Sequence, residues 1–469
     1  MKKLLIVILT SCLFSNILHA NDNYLDAFDE WLSKNGHYNY LNDPNAIVPK
    51  VCKEEKRFSN LWYYNKCDEI KSGNNLDINF FKSSEIPWGT KPNRDTLLYY
   101  LFRYLEVENE FDRAGSKGSK NPYKFEISLR ADDDKTLKKI RKAMNKTSML
   151  SYLLYEDGKI TIDEISPKDR FGIMYKDFTQ YTSASAGKSL VSYVTGHAIC
   201  NGYINGVDQR LNDWPLLENT LFYDQKLINL LNMATGHQKY ADFDLKTNKY
   251  HKNANSNTVE FHLKKGVFKN SKKAKSKYQY TNFLTNLLIN YVWFKSEGKF
   301  QDLLDEIFVD KAKIEHDVWF LKMNDRTIKM NNRNNTILKE YEVKDEDGPL
   351  RYSFRASRYD YLRIAKAMLD DWQNDTCVGK YLKTIREKRI PKNDTWKDDN
   401  THDLNSKSYA GKFHTNYSGM KKRNVMGMSG YGGQSIMIDF DKGRINVINS
   451  IHTDYNWRKI AHSVIKKGK

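Results

Sequence analysis

The chain has no Cys-x-x-Cys and no His-Glu-x-x-His, so its sequence writes in no zinc site. Beyond the first twenty residues it has no apolar run long enough to span a bilayer as a helix. It has no internal repeat, so a solenoid or array is excluded. Cysteine is scarce, at 5 in 469 residues. What remains is long enough for a large core and more than one domain. A 40% hydrophobic and 13% aromatic content suits a globular chain, not a disordered one.

The start is set apart from the rest. Lys2 and Lys3 form a positive region, Leu4 to Leu18 is mostly apolar, and Ala20 offers a small residue for cleavage. These features predict a secretory signal peptide over 1–20 and an exported protein, periplasmic or secreted. A retained anchor fits less well, because Thr10, Ser11, Ser15 and Asn16 interrupt the apolar run. Leu9-Thr-Ser-Cys12 also fits a lipoprotein box, but the apolar stretch ahead of Cys12 is short for one. Removing the signal leaves Cys52, Cys67, Cys200 and Cys377. An even count in an oxidising compartment permits two disulfides, with Cys52 and Cys67, close in sequence, as the expected pair. Four buried thiols are the alternative.

The formal charge is +18, from 76 basic and 58 acidic residues. No basic stripe is concentrated, so charges spread over a solvated surface explain it most simply. For an exported protein, the partners such a charge suits are anionic envelope polymers or lipids rather than nucleic acid.

Residues 21–147 read as an N-terminal region without recognisable chemistry. Within it, Asp95 to Glu110 has the pattern of an amphipathic helix, Arg113 to Tyr123 reads as a loop, and Asp132 to Lys146 as a charged helix. The pattern changes at Ser148. Met149 to Tyr155 and Lys159 to Ile165 predict a hairpin around Asp157-Gly158. Lys188 to Ile199 predicts a helix ended by Asn201-Gly202. From about 200 to 410 the pattern is helices and long polar loops, with Tyr280 to Ser296 and Tyr359 to Trp372 the clearest helices. Ser435 to Ile438 and Arg444 to Ile451 predict a second hairpin, and Asn456 to Lys466 a last helix.

The stretch Thr182-Ser-Ala-Ser-Ala-Gly-Lys-Ser189 admits two chemistries. A phosphate loop would need glycine where Thr182 stands, and no apolar strand leads into it, so the nucleotide reading fails. Ser-x-x-Lys occurs four times, at Ser185, Ser296, Ser418 and Ser463. Only Ser185 heads an apolar helix. There, free backbone N–H groups can hold a developing oxyanion, and Lys188 lies one turn on, along the same face. Without further motifs, Ser185 would be read as a helix cap beside a solvated lysine.

Further motifs follow in order. With Ser185-Ala-Gly-Lys188 as the first, Tyr280-Thr281-Asn282 is a Tyr-x-Asn element ahead of a helix, and Tyr431-Gly432-Gly433 is a third, followed by Gln434. Gly202 to Asp208, Trp214-Pro215 and Leu230-Leu-Asn-Met-Ala-Thr-Gly236 stand between them. In these motifs residues 148–469 resemble the serine β-lactamase and penicillin-binding-protein-like superfamily, especially its class C-type esterases, peptidases and 6-aminohexanoate-dimer-type amide hydrolases. The resemblance implies an α+β, transpeptidase-like fold. One lobe would be an antiparallel sheet, built from both ends of the domain and flanked by helices. The other lobe would be helical and inserted, with the site between them and residues 21–147 beside it. It also implies Ser185 as nucleophile, Lys188 as its base and Tyr280 as proton shuttle. Asn282, Tyr431, Gly432, Gly433 and Gln434 would contact the substrate, an ester or amide of small-molecule or peptide-like type. The backbone N–H groups of Ser185 and Gln434 would form the oxyanion hole. No cofactor is implied. Tyr431 stands where relatives carry lysine or histidine, which argues against efficient β-lactam hydrolysis. A catalytically silent envelope-binding protein on the same fold is the alternative.

Overall fold

The computed structural model describes residues 113–167, 171–172, 175–236, 276–322, 330–331, 337–339, 350–392, 406–451 and 455–467. The expected signal peptide, the Cys12 box, the Asp95–Glu110 helix and the Cys52–Cys67 pair lie outside them.

The larger of two principal sheets has nine strands. Across it run Ile390–Pro391, Ser406–Ala410, Phe413–Tyr417, Val425–Gly430, Gln434–Asp439, Arg444–Ser450, Met149–Glu156, Lys159–Ile165 and Glu126–Ile127. Every pairing is antiparallel except the last, and the two predicted hairpins are both present. The sheet joins the two ends of the domain, with Arg444–Ser450 against Met149–Glu156.

Both faces of that centre are covered, which explains why Met149–Glu156 is apolar almost throughout rather than alternating. Leu153 and Tyr155 enter the main core, while Tyr152 and Leu154 enter a second core on the opposite face. Leu137, Ile140 and Met144 of helix Lys135–Met144 and the C-terminal residues Ile460, Val464 and Ile465 close that second core. The main core packs the other face against helices Gly187–Cys200, Phe283–Lys295, Arg358–Gln373 and Cys377–Glu387.

The interval between 200 and 410, expected as helices and loops, also holds strands. Val318–Lys322 and Leu350–Ala356 form a second sheet with Arg113–Ser116 on one side and Tyr181–Thr182 on the other. Arg113 was expected to open a loop. Its Arg-Ala-Gly-Ser residues carry little strand preference of their own, and the partner strand supplies it. Gly115 packs so closely on Val318 and Trp319 that a Cβ would lie 1.9 Å from the Val318 oxygen. The expected last helix also differs: Arg458–His462 is wound as a π-helix and only Ser463–Lys466 as an α-helix.

Helix Gly187–Cys200 is buried along nearly its whole length. Its polar residues are therefore hydrogen-bonded. Ser189 Oγ donates to the Lys412 carbonyl at 2.7 Å, Ser192 Oγ and Tyr381 Oη lie 2.8 Å apart, and Tyr193 Oη donates to Asp371 at 2.7 Å. A disulfide, Cys200–Cys377, ties the far end of this helix to the start of helix Cys377–Glu387. It closes a 177-residue interval, and such a loop restricts the unfolded chain by roughly 5 kcal/mol in the entropic limit.

Candidate active site

Helix Gly187–Cys200 begins with a single 3₁₀ turn, Ala184–Ala186, that carries Ser185. The turn is pinned to strand Leu350–Ala356. Ser183 N donates to Phe354 O at 2.7 Å, and Phe354 N donates to Ser183 Oγ at 2.9 Å. Between Ser183 and Ser185, Ala184 takes φ of +44°, a left-handed conformation that costs an alanine on the order of 1 kcal/mol or more. The backbone thus turns sharply where the serine is presented, at a helix end whose first N–H groups have no partner within the helix.

Lys188 lies one turn on and is only 1% exposed. Its Nζ donates to Ser185 Oγ at 2.8 Å. Two aromatic faces flank the ammonium: Nζ is 4.7 Å from the Tyr280 ring centroid and 3.7 Å from that of Tyr352. Tyr280, distant in sequence from Ser185 and Lys188, therefore meets them at the lysine amine. Asn282 meets them through Tyr352, whose Oη donates to Asn282 Oδ1 at 2.7 Å.

Helix Phe283–Lys295 is apolar on all sides, as a buried helix should be, yet it contains two buried asparagines. Both face strand Leu350–Ala356. Tyr352 N donates to Asn286 Oδ1 at 3.0 Å. Leu350 N donates to Asn290 Oδ1 at 3.0 Å, and Asn290 Nδ2 donates back to Leu350 O at 2.9 Å. With Asn282 just ahead of the helix, asparagines at four-residue spacing grip one strand, as residues on one helical face can.

The third expected motif follows strand Val425–Gly430, whose last residue touches the Ser185 turn. Gly432 and Gly433, with φ of +81° and +92°, and half-buried Tyr431 form the turn between strands Val425–Gly430 and Gln434–Asp439. Gly433 N donates to Gly430 O at 3.1 Å, and Tyr455 Oη donates to Gly433 O at 2.6 Å. The Gln434 side chain is engaged within the sheet, donating to Ser450 O and accepting from Asn449 Nδ2, which leaves its backbone as the group nearer the turn. Gly430 packs against the turn that carries Ser185. A Cβ there would lie 2.2 Å from Ser183 O and 3.2 Å from Ala184 Cβ.

Gly430 and Tyr352 were not among the residues expected from sequence. A glycine within a strand pattern is a signal of close backbone approach, and Gly430, at the end of its strand, carries it. Tyr352 carried none. Gly430→Ala is expected to displace the Ser185 turn and slow any acylation of Ser185 by roughly 10–100-fold, with far-ultraviolet circular dichroism unchanged. Timed mass spectrometry of a serine-directed probe adduct checks it.

The arrangement joins a serine hydroxyl at a helix start, a buried lysine amine on it, and a tyrosine beside that amine. Such a set can activate an oxygen nucleophile.

No family model matches the chain, and no curated protein matches it in sequence. Solved structures do match in shape. A protein described as a 6-aminohexanoate-dimer hydrolase from Bacillus anthracis is 13% identical, covers 80% of this chain and 96% of its own, and superposes with a TM-score of 0.51. An octameric penicillin-binding protein homologue from Pyrococcus abyssi is 15% identical over 71% of this chain and 77% of its own, with a TM-score of 0.47. A protein described as a β-lactamase from Bacteroides dorei is 13% identical over 70% and 96%, with a TM-score of 0.46. The Bacillus anthracis likeness embraces nearly all of that protein and four fifths of this one, and at such identity it is a likeness of fold. The chain has the fold of the serine β-lactamase and penicillin-binding-protein-like superfamily.

Proposed function

We propose that this protein is an exported serine hydrolase that cleaves an ester or amide bond through an acyl-enzyme on Ser185. The observation that carries the reading is the buried Lys188 amine 2.8 Å from the Ser185 hydroxyl at a helix start. In the reaction, Ser185 Oγ attacks the carbonyl carbon while the neutral Lys188 amine accepts its proton. Tyr280, against the same amine, passes the proton to the departing alcohol or amine. The backbone N–H groups of Ser185 and Gln434 stabilise the oxyanion. Water then attacks the acyl carbon, and the acid leaves as the Ser185 hydroxyl is restored.

Substrate choice follows from the stretch around the third motif. Met428, Ser429, Gly430 and Tyr431 place no cation there to hold a substrate carboxylate. Esters, short amides and unusual peptides fit better than β-lactams. Export is supported by the Cys200–Cys377 bridge, since disulfides persist in oxidising compartments. The +18 charge would favour residence near anionic envelope polymers.

The test is intact-mass spectrometry of the full chain after treatment with a fluorophosphonate. One adduct on wild type and none on Ser185→Ala is expected. No adduct on folded wild type would overturn the hydrolase and leave a silent envelope-binding protein.

A further inference from the structure

Tyr352 has no place in the mechanism so far, yet it touches Lys188, Asn282 and Asn286. Its ring face lies 3.7 Å from Lys188 Nζ, closer than the Tyr280 ring at 4.7 Å. Its hydroxyl donates to Asn282 and its backbone N–H to Asn286. Asn290, one turn further, holds the same strand at Leu350 by two hydrogen bonds. Two residues past Tyr352, Phe354 anchors Ser183. Its carbonyl also meets the nucleophile helix, since a Cβ on Gly187 would lie 2.1 Å from Tyr352 O. One strand thus touches the nucleophile turn, the lysine and the Tyr-x-Asn element together.

We propose that Tyr352 is a positioning residue of the hydrolase site, holding the Lys188 amine against Ser185 with its ring and Asn282 in place with its hydroxyl. The inference rests on the hydrolase reading above and adds a residue to it. A ring face attracts an ammonium through its quadrupole, and more strongly where water is excluded, as it is around Lys188. The two ends of the side chain therefore do separable things. The ring sets the orientation and charge balance of the base. The hydroxyl fixes the amide that faces substrate.

Other groups near Lys188 bound the interpretation. Tyr280 comes from the segment ahead of helix Phe283–Lys295. Lys412, from the turn after strand Ser406–Ala410, accepts through its carbonyl from Ser189, the next residue along. Strand Val425–Gly430 brings Met428, Ser429 and Gly430, none of which titrates. Tyr352 and Tyr280 thus both set an aromatic face against the amine, and Tyr352 also joins it to Asn282.

The experiment is the pH dependence of fluorophosphonate labelling in the full chain for wild type, Tyr352→Phe and Tyr352→Leu, with Ser185→Ala as blank. Lys188 must be neutral to act as base, so labelling rises with pH through its titration. The ring favours the ammonium and holds that rise at higher pH. Tyr352→Leu is expected to move the rise to lower pH by roughly half to one and a half units, with a lower plateau. Tyr352→Phe keeps the ring, so its rise stays in place while the plateau falls by roughly threefold to tenfold. A rise in Tyr352→Leu that stays put or moves upward overturns the proposal. If Tyr352→Leu does not fold, a double-mutant cycle between Tyr352→Phe and Asn282→Ala decides. Non-additive losses support the link, and additive ones overturn it. Wild type that takes no label at all overturns the hydrolase reading and this proposal with it, an outcome distinct from the others.

Discussion

Lys188→Met is expected to slow acylation of Ser185 by roughly 10²–10⁴-fold, the range that a positioned general base supplies. The Lys188 amine is the group in hydrogen-bond reach of the Ser185 hydroxyl, at 2.8 Å, and it is 1% exposed. A serine hydroxyl is a poor nucleophile near neutral pH unless something takes its proton. Methionine is close to lysine in length, is unbranched and suits an apolar lining. Here that lining is the Tyr280 and Tyr352 rings. The variant should therefore fold as well as wild type, and the loss should be chemical rather than structural. Timed intact-mass measurements give the rate of adduct formation, and urea unfolding gives the stability. Wild-type labelling in the variant would move the base to another group. Equal losses of rate and stability would make Lys188 a packing residue.

That expectation was readable before any coordinates, and the reason is local. Ser185 and Lys188 sit one helical turn apart, so their meeting depends only on the helix, which the apolar run after Gly187 announces. The central hairpins were legible for the same reason, since short turns at Asp157-Gly158 and Gly443 join apolar runs. The second sheet was not. Tyr181–Thr182, Val318–Lys322 and Leu350–Ala356 are short and separated by more than a hundred residues at the first step, and pairing across such distances leaves no periodic trace. With that sheet went Tyr352, whose position depends on which strand it joins. The asparagines at 282, 286 and 290 did show a four-residue spacing, but their common partner is strand Leu350–Ala356. Gly430 was visible as a glycine beside Tyr431-Gly432-Gly433, but only Ser183 O pressed against it marks it as the contact.

A large expected loss of stability lies on the other side of the sheet. Glu156 ends strand Met149–Glu156, and two arginines and a threonine converge on its carboxylate. Arg130 donates through Nη2 at 2.5 Å and Nε at 3.2 Å, Thr161 donates at 2.5 Å, and Arg444 donates through Nη2. Arg444 also donates to Val464 O at 2.6 Å, and Arg130 reaches Asp134, the cap of helix Lys135–Met144. One carboxylate therefore ties the two central strands to both covers of the second core. Its side chain is 10% exposed and that of Arg444 is 8% exposed. Glu156→Ala leaves a guanidinium buried without its counter-charge, and such a break costs about 3–5 kcal/mol. Burial alone would raise the Glu156 carboxyl, but the hydrogen bonds from Thr161 and Arg130 and the charge of Arg444 outweigh it and hold it below the ordinary glutamate range. A depressed carboxyl contributes stability above its unfolded pKa, and that contribution is lost as pH falls through the folded one. The gap between wild type and Glu156→Ala should therefore be full at pH 7 and narrow as the pH drops below about 4. Urea unfolding of both proteins across that range measures it. A gap that does not change with pH would show that the carboxylate's charge is not what holds these elements together.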